Sequence, residues 1–144
     1  VLDIGCGYGP IGIYLASFGL SVDMIDVNKR ALSLAQKKKK INSVKVNIFE
    51  SDMYSNVSKK YDYIITNPPI RVGKKILYEI LIKAKDYLKE NGHLIFVINK
   101  DQGAKSTMKD MENYYSVNLI CKNKGFYVID CQNHWLIDQD SVKL

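Results

Sequence analysis

Val1-Leu2-Asp3-Ile4-Gly5-Cys6-Gly7-Tyr8-Gly9-Pro10-Ile11-Gly12, residues 1–12, pass from a short apolar run through a glycine-rich turn into a segment opened by proline. Proline at a first helical position gives up no intrahelical hydrogen bond, and the apolar spacing Ile11, Tyr14, Leu15, Phe18 predicts a helix capped by Gly19. The stretch therefore reads as strand, tight loop, helix. Working outward, Ser21 to Asp26 predict a second strand, and Asn28 is an N-cap for a helix carrying Ala31, Leu32, Leu34 and Ala35. Val44 to Phe49 and Tyr61 to Thr66 predict strands three and four. Ile76, Leu77, Ile80, Leu81, Ala84 and Leu88 mark a long amphipathic helix ended by Asn91-Gly92. Leu94 to Ile98 follow as a strand, then a polar helix over Ala104 to Tyr114. Two last strands, Ser116 to Cys121 and Gly125 to Cys131, are joined by the Lys122-Asn123-Lys124 turn.

Strands alternating with helices imply right-handed crossovers between parallel neighbours, whereas a three-residue turn can join only antiparallel strands. The expected fold is α/β: a doubly wound, mostly parallel sheet of about seven strands with a C-terminal antiparallel hairpin. Ligands of such sheets bind outside the carboxyl ends of the strands. With 144 residues, 47% of them apolar, the chain can fill one compact core and not two. Apolar runs are short and broken by charge, and no secretory leader opens the chain, so a soluble, cytoplasmic protein is expected, a monomer by default and not membrane-bound. A start at Val1, already inside an apolar run, reads as a chain trimmed at its N-terminus.

The 21 basic and 15 acidic residues leave +6, of which residues 126–144 contribute −2 and residues 1–125 therefore +8. That balance permits a polyanionic partner such as RNA without requiring one. Lys37 to Lys40, the densest cluster, close a predicted helix, where cations suit the dipole and reach into water. Cys6, Cys121 and Cys131 lack metal-ligand or redox spacing, and His93 and His134 lie far apart, so neither a disulfide nor a metal site is expected.

Chemistry-bearing residues collect where strands one to four end. Gly7-Tyr8-Gly9-Pro10-Ile11-Gly12 fits the dinucleotide pattern, and Asp26 stands at a distance suited to a ribose, so an NAD-dependent oxidoreductase is one reading. Against it, Pro10 removes an amide that would face a pyrophosphate, and Asp3 with the additional Gly5 precedes the motif. After strand three, Ser51-Asp52-Met53 offers a carboxylate for an adenine amino group beside an apolar side chain for the ring. After strand four, Thr66-Asn67-Pro68-Pro69-Ile70 can neither continue a sheet nor begin a helix at Asn67, because the prolines lack amide donors and fix φ.

Together "VLDIGCGYGPIG", "MIDVN", "SDMY" and "NPPIRVGKK" resemble the methyltransferase small domain family, class I S-adenosylmethionine-dependent enzymes with a Rossmann-like fold, similar to the ribosomal RNA guanine-N2 methyltransferases. The resemblance implies a methyltransferase domain over residues 1–132, with a tail, 133–144, of unknown role. It implies that Asp3, Gly5, Cys6, Gly7 and Gly9 hold the methionine portion of S-adenosylmethionine. Asp26 with Val27 would hold the ribose, and Asp52 with Met53 the adenine, with Asn67 bordering the cofactor. Catalysis would fall to Asn67, Pro68, Pro69 and Ile70, the Asn67 amide and the Pro68 carbonyl accepting the hydrogens of a flat exocyclic NH₂. Tyr8, Ile70, Arg71 and Lys74 would meet the substrate, although Tyr8 reads equally well as a structural aromatic. The implied partner is RNA, ribosomal RNA first. An RNA-binding remnant without activity, and an adenine N6 or protein glutamine target, remain alternatives.

Overall fold

The computed structural model describes residues 1–5, 7, 9–68 and 73–134, which form two compact units, Val1–Lys59 and the chain from Lys60 onward. In the first, β1 (Leu2–Ile4), α1 (Pro10–Ala16), β2 (Asp23–Asp26), α2 (Lys29–Ile41) and β3 (Asn47–Glu50) follow one another, and the strands lie in the order β3-β2-β1. All pairs are parallel, with Leu2 opposite Asp23 and Asp26 opposite Glu50. Ile13, Ala16, Val22, Met24, Ala35 and Val46 make the core between helices and sheet, with Leu15 and Leu32 packed against it.

Both helices expected for this unit are present. Helix α1 buries Gly12, Ile13 and Ala16 and packs Leu15 against the core, while Ile11, Tyr14 and Phe18 are 37%, 64% and 68% exposed. The cause is Gly12: a Cβ there would lie 2.6 Å from the Met24 Sδ, so the helix approaches β2 along its glycine side and turns its aromatics outward. There Tyr14 and Phe18 meet edge to face at 5.1 Å. Leu34 of α2 is likewise 45% exposed, since the helix touches the core mainly through Ala35 and Leu32. The Asn28 cap is as expected, its side chain accepting from the Arg30 and Ala31 amides at 3.0 and 3.1 Å.

The second unit contains β4 (Tyr61–Thr66), α3 (Lys74–Lys83), β5 (Leu88–Asn99), α4 (Ala104–Met111), β6 (Ser116–Asn123) and β7 (Phe126–Gln132), with strand order β4-β5-β7-β6. β4 and β5 are parallel, and β7 is antiparallel to both of its neighbours, which is the expected terminal hairpin. The hairpin turn is Lys124-Gly125 rather than Lys122 to Lys124. Both residues have positive φ, 48° and 83°, the two-residue geometry that matches strand twist.

The helix expected to run through Leu88 stops earlier. After α3 a single 3-10 turn, Ala84–Tyr87, leads directly into β5 at Leu88, and Asn91-Gly92 lie inside that strand. They form an irregularity in which Leu88 faces Tyr61 while His93 already faces Tyr63. Gly92 is required there because a Cβ would lie 2.9 to 3.1 Å from the carbonyl oxygens of Lys89, Asp62 and Tyr61. Beyond β7 the buried Asn133 is stitched back to this bulge. The Asn91 amide donates to its carbonyl at 2.8 Å, and its own amide donates to the Gly92 carbonyl at 2.7 Å. Lys85 Nζ closes the arrangement by donating to Asn133 Oδ1 at 2.9 Å and to the His134 carbonyl at 3.1 Å.

Candidate functional site

At the carboxyl end of β1 the chain enters its glycine turn with Gly5, Gly7 and Gly9 at φ 66°, 58° and 93°. Any other residue in this left-handed region would cost about 1–2 kcal/mol at each position. At Gly9 a Cβ would also fall 2.4 Å from the Met24 methyl group. Gly9 thus packs closely on β2, while Gly5 and Gly7 have open space where a Cβ would lie.

Asp3 lies in β1 just before this turn and is only 3% exposed. Among the described residues its Oδ2 has no hydrogen-bond partner. Burial pushes its carboxyl up to about 7, partly offset by the nearby Gly12 backbone N–H, and the Asp26 charge adds to the rise. An orphaned carboxylate oxygen in a buried position is costly unless something donates to it. The donor that suits it is cationic or rich in N–H groups.

Asp26 closes β2 half-buried, and its carboxylate organises the turn. Oδ2 accepts from the Gly7 amide at 2.9 Å and Oδ1 from the Asn28 amide at 2.9 Å. Each oxygen keeps a second lone pair, so the group can also accept from a pair of ligand hydroxyls. Asp26 is thus more than an acidic residue beside a helix start, because it ties the glycine turn to the end of the neighbouring strand. Val27, next to it, is 57% exposed.

At the end of β3, Asp52 is exposed and Met53 half-buried, with Met53 held at φ 50°. A left-handed methionine is strained, and the surroundings must enforce it. Ser51, 2% exposed, does so: its hydroxyl donates to the Met53 carbonyl at 2.8 Å and accepts from the Asn56 amide at 3.1 Å. The Asn56 side chain in turn donates to the Glu50 carbonyl at 2.7 Å. Ser51 and Asn56 are positioning residues that the sequence reading passed over. Their signal was present in the Ser-x-x-x-x-Asn spacing around the strand exit, where short polar side chains bond to nearby backbone.

In the second unit Asn67 follows directly on β4 and is exposed, with Pro68 half-buried behind it. Lys74 is the first residue of α3, its ammonium 5.2 Å from the centre of the Tyr78 ring. Cys6, Tyr8, Pro69, Ile70 and Arg71, also expected at the site, lie outside the described residues. The structure thus brings Asp3, Gly7 and Asp26 together around one turn, with Asp52 and Met53 at the end of the adjacent strand. Among the described residues no group of His, Cys, Asp or Glu could hold a metal ion, and no helix is long and apolar enough to cross a membrane.

Comparison with known proteins bears on this arrangement. Residues 1–130 match the family profile described as Methyltransferase small domain. The Bacillus subtilis protein YbxB is 44% identical over 135 residues, which is 90% of this chain and 67% of that protein. The Ribosomal RNA small subunit methyltransferase C of Aliivibrio salmonicida is 31% identical over 138 residues, 92% of this chain and 40% of that protein. A solved T. thermophilus 16S rRNA N2 methyltransferase, in complex with AdoMet and guanosine, superposes with a TM-score of 0.82 at 23% identity, over 92% of this chain and 37% of that one. That likeness shows the Rossmann-like α/β fold. The chain spans less than half the length of the latter two proteins.

Proposed function

Because the chain belongs to the methyltransferase small domain family, we propose that it binds S-adenosylmethionine and transfers its methyl group to an exocyclic amine of an RNA base, guanine N2 of ribosomal RNA in the first place. The observation that carries the reading is the buried Oδ2 of Asp3, without a hydrogen-bond partner among the described residues, just ahead of three left-handed glycines. A ligand bearing an ammonium group supplies such a donor. The Aliivibrio relative and the T. thermophilus enzyme, which act on ribosomal RNA by their names, point to the polymer.

In this proposal each residue has a limited task. Asp3 accepts from the amino acid portion of the cofactor beside the glycine turn. Asp26 accepts the ribose hydroxyls while it keeps Gly7 in place. Asp52 accepts from the adenine amino group, and Met53, fixed by Ser51, packs on the ring. When bound, the cofactor supplies a sulfonium-activated methyl group, so the protein needs no nucleophilic side chain of its own. Asn67 Oδ1 and the Pro68 carbonyl accept the two hydrogens of the target amine, which turns its nitrogen lone pair toward the donor and stabilises the positive charge that develops there. Neither proline can donate a backbone hydrogen bond, so the Pro68 carbonyl is held by a stiff chain.

Asn67→Ala tests the assignment because it separates binding from chemistry. The variant should bind S-adenosylmethionine as the parent does, while single-turnover methyl transfer to ribosomal RNA falls about 10²-fold or more. Transfer at the parent rate would remove Asn67 from catalysis. Tight binding of NAD with none of S-adenosylmethionine, measured by calorimetry on the parent, would overturn the reading as a whole.

A further inference from the structure

Residues 27–49 contain seven of the 21 basic residues and none of the 15 acidic ones, so the rest of the chain, with fourteen against fifteen, is at −1. The whole positive excess of the protein resides on α2 and the segment that follows it. Lys29, Arg30, Lys37, Lys38 and Lys40 on the helix and Lys45 beyond it are exposed, and Lys39 is half-buried. Lysines in the last turn suit the helix dipole, but the first turn has no acidic residue and carries Lys29 and Arg30, where the dipole opposes a cation. Helix stability therefore accounts for one end of this charge and not the other. The N-terminal pair is not there for capping either, since the Asn28 side chain already satisfies the Arg30 and Ala31 amides.

We propose that α2 and the Ile41–Lys45 segment form the track along which the RNA backbone docks, an inference that rests on the reading of RNA as substrate. The helix of 13 residues gives a track about 20 Å long. It begins at Asn28, next to Asp26 and the glycine turn, and leads away from the carboxyl ends of the strands. At its far end Lys39 and Lys45, with Ser21 and Asn47, line a recess of about 360 Å³. Backbone phosphates are the ligand that a helix carrying exposed cations and no acidic residue fits, and such contacts position a polymer without reading its sequence. A membrane surface fits less well. The helix spends its apolar residues Leu32 and Ala35 on the core, leaving only Leu34 and Ile41, 45% and 79% exposed, for insertion.

The test is fluorescence anisotropy of a short single-stranded ribooligonucleotide with the full chain across a salt series. It compares the parent with Lys37→Ala/Lys38→Ala/Lys40→Ala and with Lys100→Ala/Lys105→Ala/Lys109→Ala, which removes the same charge elsewhere. Loss of three phosphate contacts should lower the slope of log K against log salt by about 2 and weaken binding about 100-fold at about 0.1 M salt. The control triple should stay within a few-fold of the parent. Equal weakening by both triples, an unchanged α2 triple, or binding to anionic vesicles with none to RNA would each overturn the proposal. S-adenosylmethionine affinity is read in parallel. If the α2 triple methylates RNA as efficiently as the parent, the track fails and the proposed activity stands. If the parent binds RNA in the predicted way but transfers no methyl, the activity fails and the track stands.

Discussion

Replacing Asp3 by asparagine should make the protein more stable at neutral pH and at the same time weaken its hold on the cofactor. The carboxyl is raised from 3.8 to about 7, mainly by burial. Between those two values the folded protein keeps a proton that the unfolded chain has lost. Stability contributed by this group is thus present in full below pH 3.8 and declines as pH rises, until the loss is complete above about 7. At 1.36 kcal/mol per pH unit the loss comes to about 4 kcal/mol, a large share of the 5–15 kcal/mol typical of a domain. Asp3→Asn removes the titration, so urea unfolding of the ligand-free protein should show a variant about 2–4 kcal/mol more stable than the parent at pH 8, with the gap closing toward pH 4. Cofactor titration should move the other way. An ammonium group prefers the ionised carboxylate, so parent affinity should fall up to tenfold per pH unit below about 7, while the variant binds weakly and without that dependence. Parallel pH profiles of stability for the two proteins would refute the reasoning.

Asp26→Ala should weaken S-adenosylmethionine binding by about 1–3 kcal/mol in calorimetry, since it removes a charged acceptor and frees the Gly7 amide. Gly12→Ala should lower the urea midpoint by the equivalent of about 1–3 kcal/mol, because its Cβ would meet the fully buried Met24 and no open space lies behind it. Tyr115→Phe should cost about 1 kcal/mol, since the buried hydroxyl donates to the Leu81 carbonyl at 2.6 Å and that hydrogen bond is lost. A thermal melt that leaves Tyr115→Phe at the parent midpoint would show the acceptor to be satisfied in another way.

Much of this was legible in the sequence because it depended on local chemistry. Asn28 as a cap, the glycines at left-handed positions and the antiparallel final pair each follow from a few adjacent residues. The rest was not, because a distant neighbour decided the outcome. Nothing near Ile11, Tyr14 and Phe18 shows which side of α1 packs; the close approach of Gly12 to Met24 decides it. Asn91-Gly92 has the composition of a helix cap, and only the carbonyls of Tyr61 and Asp62 reveal that Gly92 serves a crowded bulge. Asp26 and Asp52 stand out in the sequence from their places after strands and Asp3 from its place before the glycine turn, but the upward shift of the Asp3 carboxyl does not. It depends on how completely the fold removes that residue from water.

The clasp of Asn133 and Lys85 determines where this polypeptide can be shortened. A chain ending at Gln132 would keep every residue of β7, yet the Asn91 amide and the Gly92 carbonyl would each lose a partner, and Lys85 would lose two of its acceptors. Among the described residues, the β5 bulge is therefore held from beyond the last strand by both the main chain and the side chain of Asn133. In hydrogen exchange the Asn91 and Asn133 amides should be protected together and released together, reporting the integrity of the β5 bulge from either side.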